Sequence, residues 1–261
     1  MTGAGEFEYE VVGDYVTFIY NRATNFASVF RRVDNNDDWL MFAPPPATHV
    51  SRMDVEPIPI PGIVSEWARP ELELANSIGL IPSLLLRHDI DLREPITREE
   101  FAAVVVYLYE NLANTVALPA IVNPFIDTRC PYVLRALNAD IMLGIGIGIF
   151  DPDSFLTREM AATGLTRAFK RTTIPGWTYA RDTYFPLVFD WGPPFADDDI
   201  ISGWARESVY FMAVHGIIGP GANNMFNPRA ITPAQEAIGF ATTTREQALV
   251  ISLRMLENLG S

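Results

Sequence analysis

The sequence predicts a mainly α-helical protein in which a helix–loop–helix unit occurs three times behind a small N-terminal β segment. One four-residue pattern recurs at three places, each directly before an apolar run with helical spacing: Thr97-Arg98-Glu99-Glu100, Thr157-Arg158-Glu159-Met160 and Thr244-Arg245-Glu246-Gln247. Similar turn residues precede these patterns in the same order. Repeated helix–loop–helix units bury their apolar faces only against their neighbours. The chain is therefore expected to fold as three units packed on one another.

The first residues have the two-residue apolar period of β-strands. Apolar side chains alternate over residues 6–20, and Gly13-Asp14 between them suits a tight hairpin turn. Strand-like runs at 26–33 and 39–42 extend the prediction to a sheet of four strands. The proline-rich stretch that follows is typical of an extended tether.

Each helical unit is expected to begin with a short amphipathic helix. Apolar residues at helical spacing run from Trp67 to a stop at Gly79 in the first unit, and from Trp204 to Gly216 in the third. The second and third units are separated by residues 173–194, which are rich in aromatic residues and proline. We expect this apolar linker to pack onto the body of the protein.

The predicted boundaries follow these changes of pattern. Residues 1–61 hold the β segment and tether, 62–118 the first unit, 119–172 the second, 173–194 the linker and 195–261 the third.

The recurring threonine suits the N-cap of a helix, because its hydroxyl can accept from a free backbone N–H of the first turn. Glu100 after Thr97 predicts a complete capping box, and Gln247 predicts another in the third copy. In the second copy Met160 stands at this position, so half of the box is lost.

The arginine after each threonine is not explained by capping, since it puts positive charge at the positive end of the helix dipole. Arginine beside free backbone N–H groups is a good receptor for a carboxylate or phosphate. The three arginines therefore predict anion-binding sites. The alternative is that each arginine pairs with a neighbouring Glu or Asp.

With these residues assembled, residues 63–260 resemble three tandem S-layer homology repeats. The resemblance rests on an ordered set of short motifs: Trp67-Ala68 and Trp204-Ala205, Gly79-Leu80 and Gly216-Ile217, Phe150-Asp151-Pro152 and Phe226-Asn227-Pro228, and the Thr-Arg-Glu patterns. No single motif is specific, but their order is.

The resemblance implies a pseudo-threefold, three-pronged helical assembly with grooves between the prongs. It also implies non-covalent attachment of an exported protein to secondary cell-wall polysaccharide, often through a pyruvylated sugar. Carried over by position, the arginines would meet the ligand's carboxylate, the glutamates would orient the site and the tryptophans would face the groove: Arg98, Arg158 and Arg245; Glu99, Glu159 and Glu246; Trp67 and Trp204. A role of the tryptophans as core anchors remains an alternative.

The three units depart from the family pattern to different degrees. The second has Thr128 at the position of the tryptophan and Asp140 in place of the stop glycine. The first lacks both the Phe-x-Asp entry and the Phe-x-Pro turn, and the third carries an insertion at 230–241. We therefore expect unequal grooves, of which one or two are competent.

Composition and motifs narrow the classes of function. The net charge of −13, from 32 acidic and 19 basic residues, disfavours binding to nucleic acid or to an anionic membrane surface. The three histidines show no metal-ligand spacing, and no nucleophile elbow or zinc-protease motif occurs, so we predict neither an enzyme nor a cofactor. Asp197-Asp198-Asp199 is read as charge at a helix entry, with calcium binding as the alternative.

The predicted protein is thus a non-catalytic attachment module at the cell wall or S-layer, with cell-wall polysaccharide as its partner. Neither an export signal nor a membrane span is recognisable in this sequence. The alternative is a self-assembling subunit of an S-layer or extracellular filament, whose N-terminal strands contact other copies or other surface proteins.

Overall fold

The structure, a computed structural model, describes residues 9–12, 15–18, 30–32, 56–189 and 192–259. These residues are mainly helical, which confirms the predicted class. The α-helices are α1 Arg69–Ser77, α2 Arg98–Ala113, α3 Pro131–Asn138, α4 Arg158–Thr173, α5 Arg206–Val214, α6 Pro233–Ala237 and α7 Arg245–Leu259.

Three short strands form an antiparallel sheet in the order β1 Tyr9–Val12, β2 Tyr15–Phe18 and β3 Phe30–Arg32. Tyr9 pairs with Phe18 in the first ladder and Tyr15 with Arg32 in the second. The strands belong to a compact unit separate from that of the helices. The fourth predicted strand, at 39–42, and the predicted turn at Gly13-Asp14 lie outside the described residues.

The three long helices α2, α4 and α7 pack on one another, and the short helices α1, α3 and α5 each pack on a long helix of another unit. In the main contacts α3 lies on α2, α5 lies on α4 and α1 lies on α7. Each short helix therefore buries its apolar side on the long helix of the unit before it, and α1 closes the series on the last. This exchange makes the core continuous across all three units.

The residues directly before the three recurring threonines are linked by a closed set of backbone hydrogen bonds. Ile96 N–H donates to Thr243 O at 2.9 Å, Thr243 N–H to Leu156 O at 2.8 Å, and Leu156 N–H to Ile96 O at 3.2 Å. This ring holds the starts of α2, α4 and α7 together at one end of the bundle. The three arginines are thereby fixed around one point of the fold.

The helix starts follow the predicted capping. Thr97 and Glu100 exchange backbone-to-side-chain hydrogen bonds at 3.0 and 3.2 Å, and Thr244 and Gln247 do so at 3.1 and 3.3 Å. In α4, Met160 N–H donates to the Thr157 hydroxyl at 3.4 Å. The methionine side chain cannot return a bond to the Thr157 N–H.

Completing the capping box at the start of α4 is expected to stabilise the protein slightly. Met160→Gln should add roughly 0.5 kcal/mol, a rise in Tm of about 1–2 °C, because the amide can accept from the Thr157 N–H. Met160→Leu is the control for the loss of methionine itself. A calorimetric Tm for the glutamine variant no higher than that of the leucine variant would contradict the expectation.

The aromatic linker packs against the helices, as its composition predicts. Trp177 is fully buried, and Leu187 and Phe189 pack against the core. The insertion at 230–241 contains α6, which the sequence analysis did not predict and which Thr232 and Gln235 cap reciprocally. Of the helices in the described residues, none has the length and apolar content of a membrane span.

Candidate functional site

Arg98 lies at the start of α2 against the turn that precedes α4. Its Nε donates to Phe150 O at 2.9 Å and its Nη2 to Leu143 O at 3.1 Å. The guanidinium lies over the Phe150 ring, 4.8 Å from the centroid. Within the described part of the chain it makes no ion pair.

Arg158 repeats this arrangement at the start of α4. Its Nε donates to Phe226 O at 2.9 Å, its Nη2 to Gly219 O at 3.4 Å, and its guanidinium lies 5.0 Å from the centre of the Phe226 ring. It too is without an ion pair among the residues that the structure describes. Each of these two arginines therefore contacts the phenylalanine of a Phe-x-Pro turn, through its carbonyl oxygen and its ring.

Arg245 differs from the other two arginines, because its guanidinium forms an ion pair with a carboxylate. Its Nε donates to Glu100 at 2.9 and 3.0 Å, its Nη2 lies 2.9 Å from the same carboxylate, and its Nη1 donates to Asp91 O at 3.1 Å. The ion-pair alternative therefore holds for Arg245. For Arg98 and Arg158 the described residues show none.

Burial leaves the charge on Arg98 and Arg158 poorly solvated. It lowers the pKa of both guanidinium groups below the ordinary value, while Asp151 and Asp127 act in the opposite sense on Arg98 and Asp197 on Arg158. A desolvated charge without a contacting counter-charge gains more from a bound anion than a solvated one does.

The aspartate of each Phe-x-Asp entry supports the turn that holds an arginine. Asp197 accepts from the backbone N–H groups of Phe226 and Asn227, both at 2.7 Å. Asp127 accepts from Phe150 at 3.0 Å and Asp151 at 2.7 Å. Asp197 is therefore a structural residue, and within the described ranges no cluster of acidic, His or Cys side chains is arranged to hold a metal ion.

The three predicted site glutamates each follow one of the recurring arginines directly in sequence. Each accepts hydrogen bonds from the segment that leads into a short helix of another unit. Glu159 accepts from the Ser202 N–H and hydroxyl, both at 2.9 Å, and Glu246 accepts from Ser65 at 2.9 and 2.8 Å. Glu99 accepts from the Thr128 hydroxyl at 2.6 Å. The glutamates thus hold the segments that lead into the short helices.

Two of those segments carry the predicted tryptophans. Trp67 and Trp204 each stand two residues after the serine that the glutamate binds, and they are 53% and 55% exposed. Trp177, by contrast, is completely buried. The exposure argues against the core-anchor alternative for Trp67 and Trp204.

Two grooves bring these residues together. The Trp204 groove, a cavity of about 310 Å³, is lined by Arg98, Leu143, Gly144, Met160, Arg167 and Trp204 among others. The Trp67 groove, of about 270 Å³, is lined among others by Trp67, Arg158, Gly219, Pro220, Gln247 and Arg254. Each groove combines an arginine from one unit with a tryptophan from another. None of the three glutamates lines either groove.

The two linings match position by position, which reveals residues that the sequence analysis missed. Arg167 and Arg254 each stand nine residues after an arginine of the recurring pattern, on α4 and α7. The equivalent position of α2 is Tyr107. Aligning the three long helices on their Thr-Arg-Glu patterns would have shown this second arginine in two copies out of three.

Residues 194–231 match the model of the S-layer homology domain. This stretch contains the Phe195-to-Asp197 entry, Trp204 and the Phe226-to-Pro228 turn, so an S-layer homology sequence is confirmed for these residues, and the presence of three tandem repeats stays a prediction. Such a domain is a non-catalytic module that associates with cell-wall polymers at the cell surface.

The chain is also similar to a much longer enzyme, the amylopullulanase of Thermoanaerobacterium thermosulfurigenes. The two are 25% identical over 252 residues, which are 94% of this chain and 12% of that protein. The chain therefore spans a small fraction of its relative.

Proposed function

We propose that the three helical units together attach their protein to an anionic cell-wall polysaccharide through the Trp204 and Trp67 grooves. In this proposal the units are S-layer homology repeats related by pseudo-threefold symmetry. The observation that carries it is the combination, in each groove, of an exposed tryptophan with a partly buried arginine that lacks a carboxylate partner among the described residues. The closed ring of backbone hydrogen bonds and the exchanged short helices support the symmetry.

The chemistry of each groove fits an acidic sugar. Arg98 and Arg158 use Nε and Nη2 on backbone carbonyls, and no bond of Nη1 occurs among the described residues, so these N–H groups can donate to a carboxylate such as that of a pyruvylated sugar. The exposed tryptophan ring offers an apolar face to the sugar ring. Because the chain as a whole has a charge of −13, it must capture an anion locally.

The place where a third groove would lie has lost all of these features. Arg245 is paired with Glu100, Tyr107 stands in the place of the second arginine, and Cys130 stands two residues after the Thr128 that Glu99 binds, where the other two segments carry a tryptophan. A bound anion would have to displace a carboxylate from Arg245. We therefore propose that two grooves bind glycan and the third does not.

Binding to isolated cell-wall sacculi tests the proposal. Arg98→Gln and Arg158→Gln should each weaken binding about tenfold, and the double variant about a hundredfold, since each removes a charge-assisted bond to the ligand. Sacculi stripped of their acid-labile polysaccharide should bind none of the proteins.

Arg87→Gln serves as the matched control, because Arg87 is an exposed arginine paired with Asp89 and lies in neither groove. If the double variant binds sacculi as well as this control does, attachment through the grooves is wrong. The same result would favour the alternative of a structural, self-assembling subunit.

A further inference from the structure

The two grooves differ in the state of their second arginine. In the Trp67 groove, Arg254 donates to Glu71 of α1 at 2.9 and 2.7 Å, so its charge is neutralised by the protein. Glu71 stands four residues after Trp67, and the residue four after Trp204 is Ser208, which carries no charge. The Trp204 groove therefore lacks the carboxylate that neutralises its counterpart.

Arg167 lies instead over an aromatic ring that the linker supplies. Its guanidinium is 4.6 Å from the centroid of Tyr179, which also lines the Trp204 groove. Burial lowers the pKa of Arg167, with Tyr179 and Asp182 acting in the opposite sense. No ion pair to Arg167 occurs within the described ranges.

The linker is held in place by hydrogen bonds to Asp182, the carboxylate that acts on the pKa of Arg167. Asp182 accepts from the Trp177 indole N–H and from the Lys170 ammonium, both at 2.8 Å. Lys170 also donates to Glu207, which in turn accepts from the Leu187 N–H at 2.8 Å. The network fixes Tyr179 beneath Arg167 and commits both carboxylates to other partners.

We infer that the Trp204 groove takes a glycan segment with two anionic groups, one bound by Arg98 and the other by Arg167, whereas the Trp67 groove takes a segment with one. Tyr179 is the positioning residue that holds Arg167 towards the second anion. This assignment rests on the proposed function, since it specifies the ligand of the same grooves. It gives the linker a role in glycan selection.

Fluorine NMR of the full chain labelled with 5-fluorotryptophan can read the two grooves separately. The resonances of Trp67 and Trp204 are assigned with Trp67→Phe and Trp204→Phe variants. The probes are digalacturonic acid, with two carboxylates, and its monomethyl ester, which has the same rings and one carboxylate. At Trp204 the diacid should bind roughly tenfold more tightly than the ester. At Trp67 the two affinities should agree within threefold.

Arg167→Gln should abolish the preference for the diacid at Trp204 and leave the Trp67 resonance unchanged. Arg254→Gln, at the equivalent position of the other groove, is the matched control and should preserve the preference. Should Arg167→Gln fail to fold, the salt dependence of the wild-type chain gives the answer. The diacid affinity at Trp204 should fall more steeply with NaCl than at Trp67.

Equal affinities of diacid and ester at Trp204, or equal losses of both in Arg167→Gln, would overturn the two-anion assignment and leave the attachment function standing. If neither probe, nor polysaccharide released from sacculi, shifts Trp67 or Trp204, the grooves are not glycan sites. In that case the proposed function and this inference both fail.

Discussion

Replacing Lys170 with methionine is expected to lower the free energy of unfolding of the helical unit by about 3 kcal/mol. Lys170 is 2% exposed and bridges Asp182 and Glu207, which retain 34% and 28% of their side-chain exposure. Its removal leaves two facing carboxylates without a counter-charge. Their partial exposure keeps the cost near the lower end of the range for a broken buried ion pair.

The loss should fall on the linker first. Asp182 holds the Trp177 indole and Glu207 holds the Leu187 backbone, so the network joins the linker to α4 and α5. Urea denaturation followed by far-UV circular dichroism measures the stability, and limited proteolysis reports cleavage within 173–194. We expect the variant to be cleaved there before the helices are.

Two further variants separate charge from packing. Lys170→Arg keeps the positive charge and should lose less than half as much stability. Combining Lys170→Met with Asp182→Asn and Glu207→Gln removes every charge of the network and should recover most of the loss. A methionine variant within 1 kcal/mol of the wild type would show that the buried ammonium is not needed to dock the linker.

The elements with a local cause were predictable from the sequence. Thr97, Thr157 and Thr244 fix the starts of the three long helices through their own first turns, and the capping partners follow residue by residue. The unfavourable placement of arginine at the helix start likewise pointed to Arg98 and Arg158. The capping partners lie three positions from each threonine, and the arginines stand out because their place at the helix start is itself a local feature.

The elements that depend on distant residues were not predictable in the same way. An apolar stripe does not say which helix will cover it, so the exchange of short helices between units came from the structure. Glu100 is the capping residue that the pattern predicts, but it also pairs with Arg245 across 145 positions of sequence. In the proposed function this ion pair removes Arg245 from glycan binding, and no local sequence pattern predicts it.

The contacts of the glutamates lead to the other large expected effect. Glu159 is 1% exposed, accepts two hydrogen bonds from Ser202, and lies 3.2 Å from the Nε of Arg229. Glu159→Ala should lower the free energy of unfolding by about 3 kcal/mol, because it leaves the partly buried Ser202 backbone donor unpaired and opens a cavity at a fully buried side chain. Thermal denaturation of the variant measures this directly.

The same change should impair one groove and spare the other. Ser202 stands two residues before Trp204, so its release lets Trp204 move away from Arg98 and Arg167. At a temperature where Glu159→Ala remains folded, binding at the Trp204 resonance should weaken about tenfold. Binding at the Trp67 resonance should not change.

The three units supply the matched controls for this prediction. Glu246→Ala releases Ser65 and should weaken the Trp67 groove instead. Glu99→Ala breaks one bond to Thr128, and no tryptophan follows that segment, so stability should fall without any effect on glycan binding. If Glu99→Ala weakens binding as much as Glu159→Ala does, the glutamates act through general stability rather than by placing the tryptophans. The pattern across all three then decides whether the glutamate of a Thr-Arg-Glu motif positions the tryptophan of the groove whose arginine comes from the preceding motif.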